Sequence, residues 1–542
     1  MKNTHKLLLG AALLTLSGTL AACGSGEANS DSNHNKVTLM QNTELLSLDN
    51  SSVADFTQWN TLENSMEGLY RQDKNNKLAP AMATKVVQPT NNGKTYTFHL
   101  RKNAKWSNGD DVTAQDFVKS WQRSVSDKST SGYNYIFSGV KNADKISAGK
   151  ADETALGVTA VDKHTLRVDL DHAMPYFNKM MILPAFFPQN TAAVKKYGSK
   201  YGTTSAKMVY NGPFKVTGWT GSNNSWKFLR NKHYYNQKAI HLKEIDMKVV
   251  QDPNTAHNMF TKGQLDDAQI TGVTAQGLQT NKNLRHVTKA GTYYTRLNVA
   301  KNKTLSNKKL RRALNLVLDR KALTKKVLAD GSEPAYTFVA KGLSTDPTTG
   351  KDFAEENQPA ETHNVKKAKK LWAEGLKETG KSSVTLSLLG NQDTATKNVN
   401  QYIQSTVEEN LDGAKVNVES LPKKALSSDV ESGKFDMETL FWLADFGDPS
   451  NFLSINQSTN PQNYGSYNSK AFDTALTNAA KKDATNTKAY WADMRKAQQV
   501  MNSEVPLVPL YSMTESHLVN PKLKGVEYHP VGENDYTRAY LK

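Results

Sequence analysis

The chain reads as a mixed α/β protein of several domains, and three observations lead there. Short alternating stretches interleave with amphipathic helical ones along the whole sequence, a pattern of mixed rather than segregated architecture. At roughly 150 residues per domain, 542 residues correspond to about three domains or two large lobes. No repeat of solenoid period recurs, and no low-complexity block follows the first 36 residues.

The N-terminus comes first. Lys2 and Lys6 precede an apolar stretch from Leu7 to Ala22, shorter than the roughly 20 apolar residues a spanning helix needs. A basic segment followed by a short apolar one is the pattern of a secretory signal, here residues 1–22. It ends Leu20-Ala21-Ala22-Cys23, which resembles the lipobox of bacterial lipoproteins. In those proteins the cysteine thiol receives a diacylglycerol and becomes the new N-terminus. Two acyl chains hold a protein on a membrane where one does so only marginally. Cys23 is the only cysteine, which excludes an intramolecular disulfide framework, thiolate zinc sites and iron–sulfur clusters. Residues 23–36 are rich in Gly, Ser, Asn and charge and predict a flexible tether. Loss of residues 1–22 leaves 67 basic against 52 acidic residues, a net +15.

Beyond the tether, Val37–Met40, Tyr96–Leu100, Thr165–Leu170, Ile245–Val250 and Val384–Leu389 read as strands. A helix is predicted from Ser306 as N-cap, with Leu310, Leu314, Val317 and Leu318 on one face; it breaks before Lys321 or runs on towards Gly331. Another starts after Asn364 and buries Val365, Ala368, Leu371 and Trp372 behind a lysine-rich outer face.

Catalytic patterns do not form. There is no His-Glu-x-x-His and no Gly-x-Ser-x-Gly elbow. Gly93-Lys94-Thr95 lacks the glycine a phosphate loop needs five residues earlier, where Gln88 stands. Ser147–Lys150 and Ser306–Lys309 match Ser-x-x-Lys without the partner motifs of penicillin-binding enzymes. The 12 histidines are scattered, none at i,i+4, so neither a metal site nor a cofactor is expected. A formal +17 suggests nucleic acid, but an exported chain meets little of it; anionic lipids and cell-wall polymers are the expected counterpart. Tyrosine and tryptophan gather in loop-like groups at Gly132–Tyr135, Thr292–Tyr294 and Phe441–Trp442. Such side chains suit ligand clefts, offering flat apolar area with a polar handle.

The segment Tyr96–Arg123, YTFHLRKNAKWSNGDDVTAQDFVKSWQR, resembles the signature of the peptide-binding solute receptors of ABC importers. Similar stretches recur at Met66–Leu69, Asn211–Phe214, Gly291–Tyr294, Phe441–Phe446, Ala471–Asp473 and Val505–Tyr511, so the resemblance covers essentially the whole mature chain. It is to the oligopeptide-binding branch, in a Gram-positive setting where the receptor is lipid-anchored.

The resemblance implies a two-lobe, three-domain fold with a ligand cleft between the lobes. One lobe would combine residues 37–66, 191–290 and 515–542 with an inserted domain at 67–190; the other would span 291–514. It implies a monomer that closes on an extended oligopeptide by a hinge and passes it to a membrane permease, without chemistry. It places Asp445 against the peptide's α-ammonium. Trp442 and the backbone of Leu443 and Ala444 would lie along the peptide, Tyr133 in the cleft wall of the inserted domain, and Phe56, Tyr294 and Tyr511 at cleft-lining positions. The alternative role for Asp445 is that of a loop carboxylate capping a nearby backbone donor. Where the enterobacterial branch sets basic groups for the peptide carboxylate, this chain has Leu328, Thr396 and Thr439, and Lys423 stands at a pocket tryptophan. The expectation is a site less tied to one peptide length. A pheromone receptor, or a surface adhesin or chaperone-like protein working through the basic face, are the alternative functions.

Overall fold

A computed structural model describes residues 35–52, 55–126 and 133–542. Cys23, the signal segment and most of the tether lie outside these residues. Lys36, left in the tether by the sequence reading, opens the first strand instead; its ammonium sits 2.7 Å from Glu244 and 2.8 Å from Asp246.

Strand β1 (Lys36–Gln41) leads to helix α1 (Phe56–Ser65), capped by Asp55, whose side chain accepts from the Gln58 N–H. Strand β2 (Thr95–His99), helix α2 (Ala114–Val125) and strands β3 (Val158–Asp162) and β4 (Thr165–Asp169) follow. The strands form an antiparallel sheet in the order β2–β4–β3. Alternation sets its inner face: Tyr96, Phe98, Leu166 and Val168 are buried while Thr97, His99 and Arg167 are exposed. Strands β5 (Phe214–Thr217), β6 (Ser225–Arg230) and β7 (Glu244–Val249) then return to β1, giving a sheet in the order β1–β7–β6–β5 with β7 parallel to β1. One apolar core runs beneath both sheets, from Val37 to Met247, and takes in the distant residues Phe446, Leu523, Tyr536 and Ala539.

The signature segment lies inside this core. Thr113 and Asp116 make a capping box that starts α2, while Trp106, Phe117 and Trp121 are fully buried. The Trp121 indole donates to the Phe186 carbonyl at 2.9 Å, which allows a polar N–H to be buried without penalty.

The second half of the chain builds a seven-stranded sheet. Its strands are β8 (Asp267–Ile270), β9 (Leu284–Leu297), β10 (Glu333–Pro334), β11 (Val384–Asn391), β12 (Ala414–Leu421), β13 (Met437–Leu443) and β14 (Leu507–Val519). They lie in the order β8–β14–β9–β13–β11–β12, with β10 beside β14. Helices α3 (Lys308–Val317), α4 (Val365–Glu378), α5 (Thr394–Asn410) and α6 (Thr487–Glu504) contribute to a second core extending from Ala290 to Val531. β9 and β14 are the long members, 14 and 13 residues, and they connect this core to the smaller one under β8. Their pairing slips register twice, between Thr288 and Thr292 and again between Tyr293 and Tyr294.

The five expected strands form within a residue or two of their positions. The helix expected from Ser306 is capped one residue later: Asn307 accepts from the Lys309 and Leu310 N–H groups, while the Ser306 hydroxyl turns back to the Lys303 carbonyl at 2.6 Å. It ends at Val317, and after an extended Leu318, Asp319 caps a second helical run from Arg320 to Leu328. Helix α4 begins on Asn364 as expected and buries Ala368 and Trp372, with Val365 and Leu371 only half-buried. No helix among the described residues is long and apolar enough to cross a membrane.

Candidate functional site

On one face of the seven-stranded sheet, β13 contributes Phe441 and Leu443, β9 contributes Gly291 and Tyr293, and β14 contributes Tyr511 and Met513. Leu443 and Met513 close over Gly291, where a Cβ would come within 3.1 Å of both and would need them to shift by a few tenths of an ångström. This face looks across at the first half of the chain. A cavity of about 120 Å³ lies between them, bounded by Leu443 and Met513 on one side and by Gln41, Asn42 and Phe56 on the other.

At the end of β13 the chain turns through Asp445, which is 9% exposed. Its carboxylate is held from both halves of the chain. The Tyr133 hydroxyl donates to Oδ1 at 2.5 Å and the Asn451 side-chain amide donates to Oδ2 at 3.0 Å. Asn451 is itself oriented by the Trp442 indole N–H at 3.1 Å and by the Asp445 N–H at 3.2 Å. Burial pushes the Asp445 carboxyl up from its ordinary value, against the Tyr133 and Asn451 donors that favour its ionised form. Burial, then the Asp445 charge, pushes the Tyr133 phenol well up. Among the described residues this desolvated carboxylate has neutral donors, Tyr133, Tyr135 and Asn451, and no cation, and it is set up to accept one.

The loop after Asp445 seals the two halves together. Phe446 stacks on Tyr176 at 4.8 Å and 12°, and the Lys179 ammonium donates to the Gly447 carbonyl at 2.6 Å. A cavity of about 330 Å³ remains beside Asp445, lined by Tyr135, Met174, Tyr176, Trp442 and Met494 among others.

Next to Asp445, β13 has an edge that is free among the described residues. Its parallel pairing with β11 stops at Gly390–Thr439. The Ala444 N–H donates to the Ala290 carbonyl at 2.9 Å, inside the sheet. Alternation therefore turns the N–H and C=O groups of Phe441 and Leu443 away from β9, towards the side that β11 has left. That edge can take one more extended strand.

Of the site residues expected from sequence, Asp445 and Tyr133 meet directly, although 312 residues apart. Leu443 offers backbone to the cleft, whereas the Ala444 amide is spent within the sheet. Trp442 acts through Asn451. Phe56 is 46% exposed, edge-on to Trp59, which in turn meets Tyr133 at 5.2 Å. Tyr511 stacks on Tyr293 at 4.5 Å. Tyr294 points to the opposite face, 1% exposed against Phe338, so the cleft-facing member of that pair is Tyr293. Leu328, Thr396 and Thr439 are all buried and uncharged, and Lys423 opens an exposed helix. Asn451, Tyr176 and Lys179 were not anticipated; only the loop's folding brings them to the cleft, and no local pattern marks them.

A receptor cleft between two halves, walled by aromatics and closed at one end by a buried carboxylate, agrees with the comparisons. The model of the bacterial extracellular solute-binding proteins, family 5 (middle region), matches residues 77–464. The chain belongs to this family. A dipeptide-binding protein of Lactococcus lactis is 34% identical over 98% of both chains. The solved substrate-binding domain of a Bacillus anthracis oligopeptide ABC transporter is 37% identical, with a TM-score of 0.77 over 94% of this chain and 99% of that one. Listeria monocytogenes OppA bound to peptide is 32% identical, with a TM-score of 0.76 over 94% and 99%. The family shares the two-lobed mixed α/β fold with a cleft between the lobes, and it is a family of solute receptors, not of enzymes.

One further group belongs to the cleft's inner end. His517 lies 2.8 Å from Asp267 and 3.4 Å from Glu515. Burial opposes its charge, but the two carboxylates prevail and push it up to about 10, so it is an imidazolium at neutral pH. Lys289 of β9, 2% exposed, donates to the His529 and Gly532 carbonyls at 2.9 and 2.7 Å. This charged, fully partnered cluster sits at the register slip of β9 and β14 and fixes the C-terminal segment across it.

Proposed function

We propose that this chain is the extracellular receptor of an ABC importer, capturing oligopeptides in an extended conformation and delivering them to a membrane permease. The observation that carries the reading is the pairing of a buried carboxylate, Asp445, which meets no cation among the described residues, with the free backbone edge at Leu443 and Phe441. A peptide's α-ammonium would satisfy the first and its main chain the second. Recognition through main chain accepts varied sequences, which suits uptake. The names of the relatives, a dipeptide-binding protein and an OppA bound to peptide, support the same ligand class. The uncharged Leu328, Thr396 and Thr439 support tolerance of ligand length.

In this reading β9 and β14 form the hinge, so that residues 37–66, 191–290 and 515–542, with 67–190 inserted, move as one lobe against 291–514. Cys23 carries a diacylglycerol that anchors a monomer to the outer face of a Gram-positive cell membrane; the lipobox-like Leu20–Cys23 supports this. A receptor for a single signalling peptide would share this geometry but show a narrow sequence preference.

The test is calorimetry with one tetrapeptide and its N-acetyl form. The free amine is expected to bind at least about 30-fold more tightly, because acetylation leaves Asp445 buried and unpaired. Equal affinities would overturn the role of Asp445.

A further inference from the structure

The peptide reading leaves part of the cleft face without a role. Phe441, Tyr293 and Tyr511 stand side by side on three neighbouring strands, Phe441 in register with Tyr293 and Tyr293 with Tyr511. Tyr293 and Tyr511 stack at 4.5 Å and 12°, and Phe441 leans on Tyr293 at 5.2 Å. Phe441 is nevertheless 41% exposed, a large apolar ring facing water in the middle of a sheet.

The charge around this row is negative, in a protein that is otherwise strongly basic. β11 runs parallel to β13 and ends at Asn391, and Asp393 follows directly as the N-cap of α5. Asp330 approaches from the other side, its carbonyl tied to β14 by the Ser516 hydroxyl at 2.7 Å. The hydrogen-bond partners of both carboxylates are neutral: the Ser332 N–H for Asp330, and the Thr396 N–H and hydroxyl for Asp393. Both reach the rings electrostatically. After burial, their fields are the causes that push the Tyr293 phenol up to about 12.

We infer that this row is a subsite for a cationic side chain, lysine or arginine, carried at about the fourth residue of the ligand. The inference rests on the peptide reading, with the ligand's amine on Asp445. Phe441 stands four residues from Asp445 along β13, and at ~3.3 Å per residue an extended ligand paired to that edge brings its fourth or fifth residue there. A lysine or arginine stem can lie along the Phe441 ring while its head meets the π faces and the two carboxylates. A terminal carboxylate in the same place would face two like charges, and Leu328, Thr396 and Thr439 supply nothing to offset them. This end of the cleft thus favours a chain that continues past it with a positive side chain.

The experiment is calorimetry on the full receptor with amidated hexa-alanine peptides carrying lysine, norleucine or glutamate at the fourth position, and the same set shifted to the third and fifth. Lysine is expected to bind about tenfold more tightly than norleucine at one of these positions, with glutamate weakest. In the double variant Asp330→Asn, Asp393→Asn, which keeps both side-chain caps because asparagine accepts the same N–H bonds, the lysine advantage is expected to vanish. Thermal unfolding checks that this variant is folded. A flat response in the wild type, or a lysine preference that survives the double variant, overturns the subsite while leaving peptide binding intact. If none of the peptides binds, the peptide reading itself fails and the subsite falls with it.

Discussion

The segment that makes the chain recognisable and the surface that gives it a function are different places. Tyr96–Arg123 is buried: Trp106, Phe117 and Trp121 have no exposed surface, and the nearby polar groups of Thr113 and Asp116 are consumed by a helix cap. Among the described residues the cleft face of β13 is open, with unpaired backbone, an exposed phenylalanine and a carboxylate lacking a counter-charge. The first carries the stability of the lobe that the second closes against. Sequence likeness concentrated in the former establishes the fold, and the ligand has to be argued from the latter.

The comparison breaks most visibly under Trp121→Ala. The change removes a fully buried indole and leaves the Phe186 carbonyl without its donor, and should cost about 3–5 kcal/mol of stability. Differential scanning calorimetry should show the loss as a lower Tm, while the fraction that remains folded binds ligand with unchanged affinity. A variant that kept its Tm but lost affinity would mean that the signature segment contacts ligand after all.

Asp445→Ala should do the converse. The change strips the acceptor from the Tyr133 hydroxyl and the Asn451 amide, so the melting temperature should fall less than in Trp121→Ala, by the worth of about 1–3 kcal/mol, while affinity for a free-amine peptide should fall by about 2–5 kcal/mol, the cost of a buried ammonium without its partner. Measured beside Trp121→Ala, the two variants should separate stability from binding. An Asp445→Ala protein that binds normally would leave Asp445 as a loop carboxylate held by Asn451.

How much of this was legible depends on the range of the interaction. Strand alternation at Tyr96–Leu100 and capping at Asn364 are decided by neighbours in sequence, and both form as read. Ser306 and Asn307 compete for one cap, and the choice turns on which side chain the preceding loop leaves free. Tyr293 and Tyr294 show the limit more sharply. Adjacent strand residues face opposite ways, so one residue of phase decides between cleft and core, and β9 slips register against β14 between these two tyrosines. No local pattern supplies that phase. The resemblance put Tyr133 and Asp445 each in the cleft, but not against one another; spacing across 312 residues carries no such information. Asn451 and Lys179 had no signal, because their place follows from a loop that folds only against the opposite half.

Tyr133→Phe probes the finest point of the comparison, whether the cleft surface is tuned as well as exposed. The substitution keeps the ring and its edge contacts with Trp59 and Tyr135 but removes the hydroxyl that bonds Asp445. Because that bond is already made without ligand, its loss should change affinity at neutral pH by less than about 1.5 kcal/mol, the lower end of the worth of a hydrogen bond to a charged group. The pH dependence should shift as well, and its sign follows from the carboxyl. Burial already holds Asp445 above its ordinary value, with the Tyr133 hydroxyl among the groups pulling it back down. Without that donor the carboxyl rises further, and because binding needs the ionised form, affinity should be present above that value and disappear as pH falls through it. The acid limb of the affinity profile should therefore lie at higher pH in the variant than in the wild type. Calorimetric titrations between pH 4 and pH 8 would show it; coincident acid limbs would mean that the hydroxyl packs against Asp445 without tuning it.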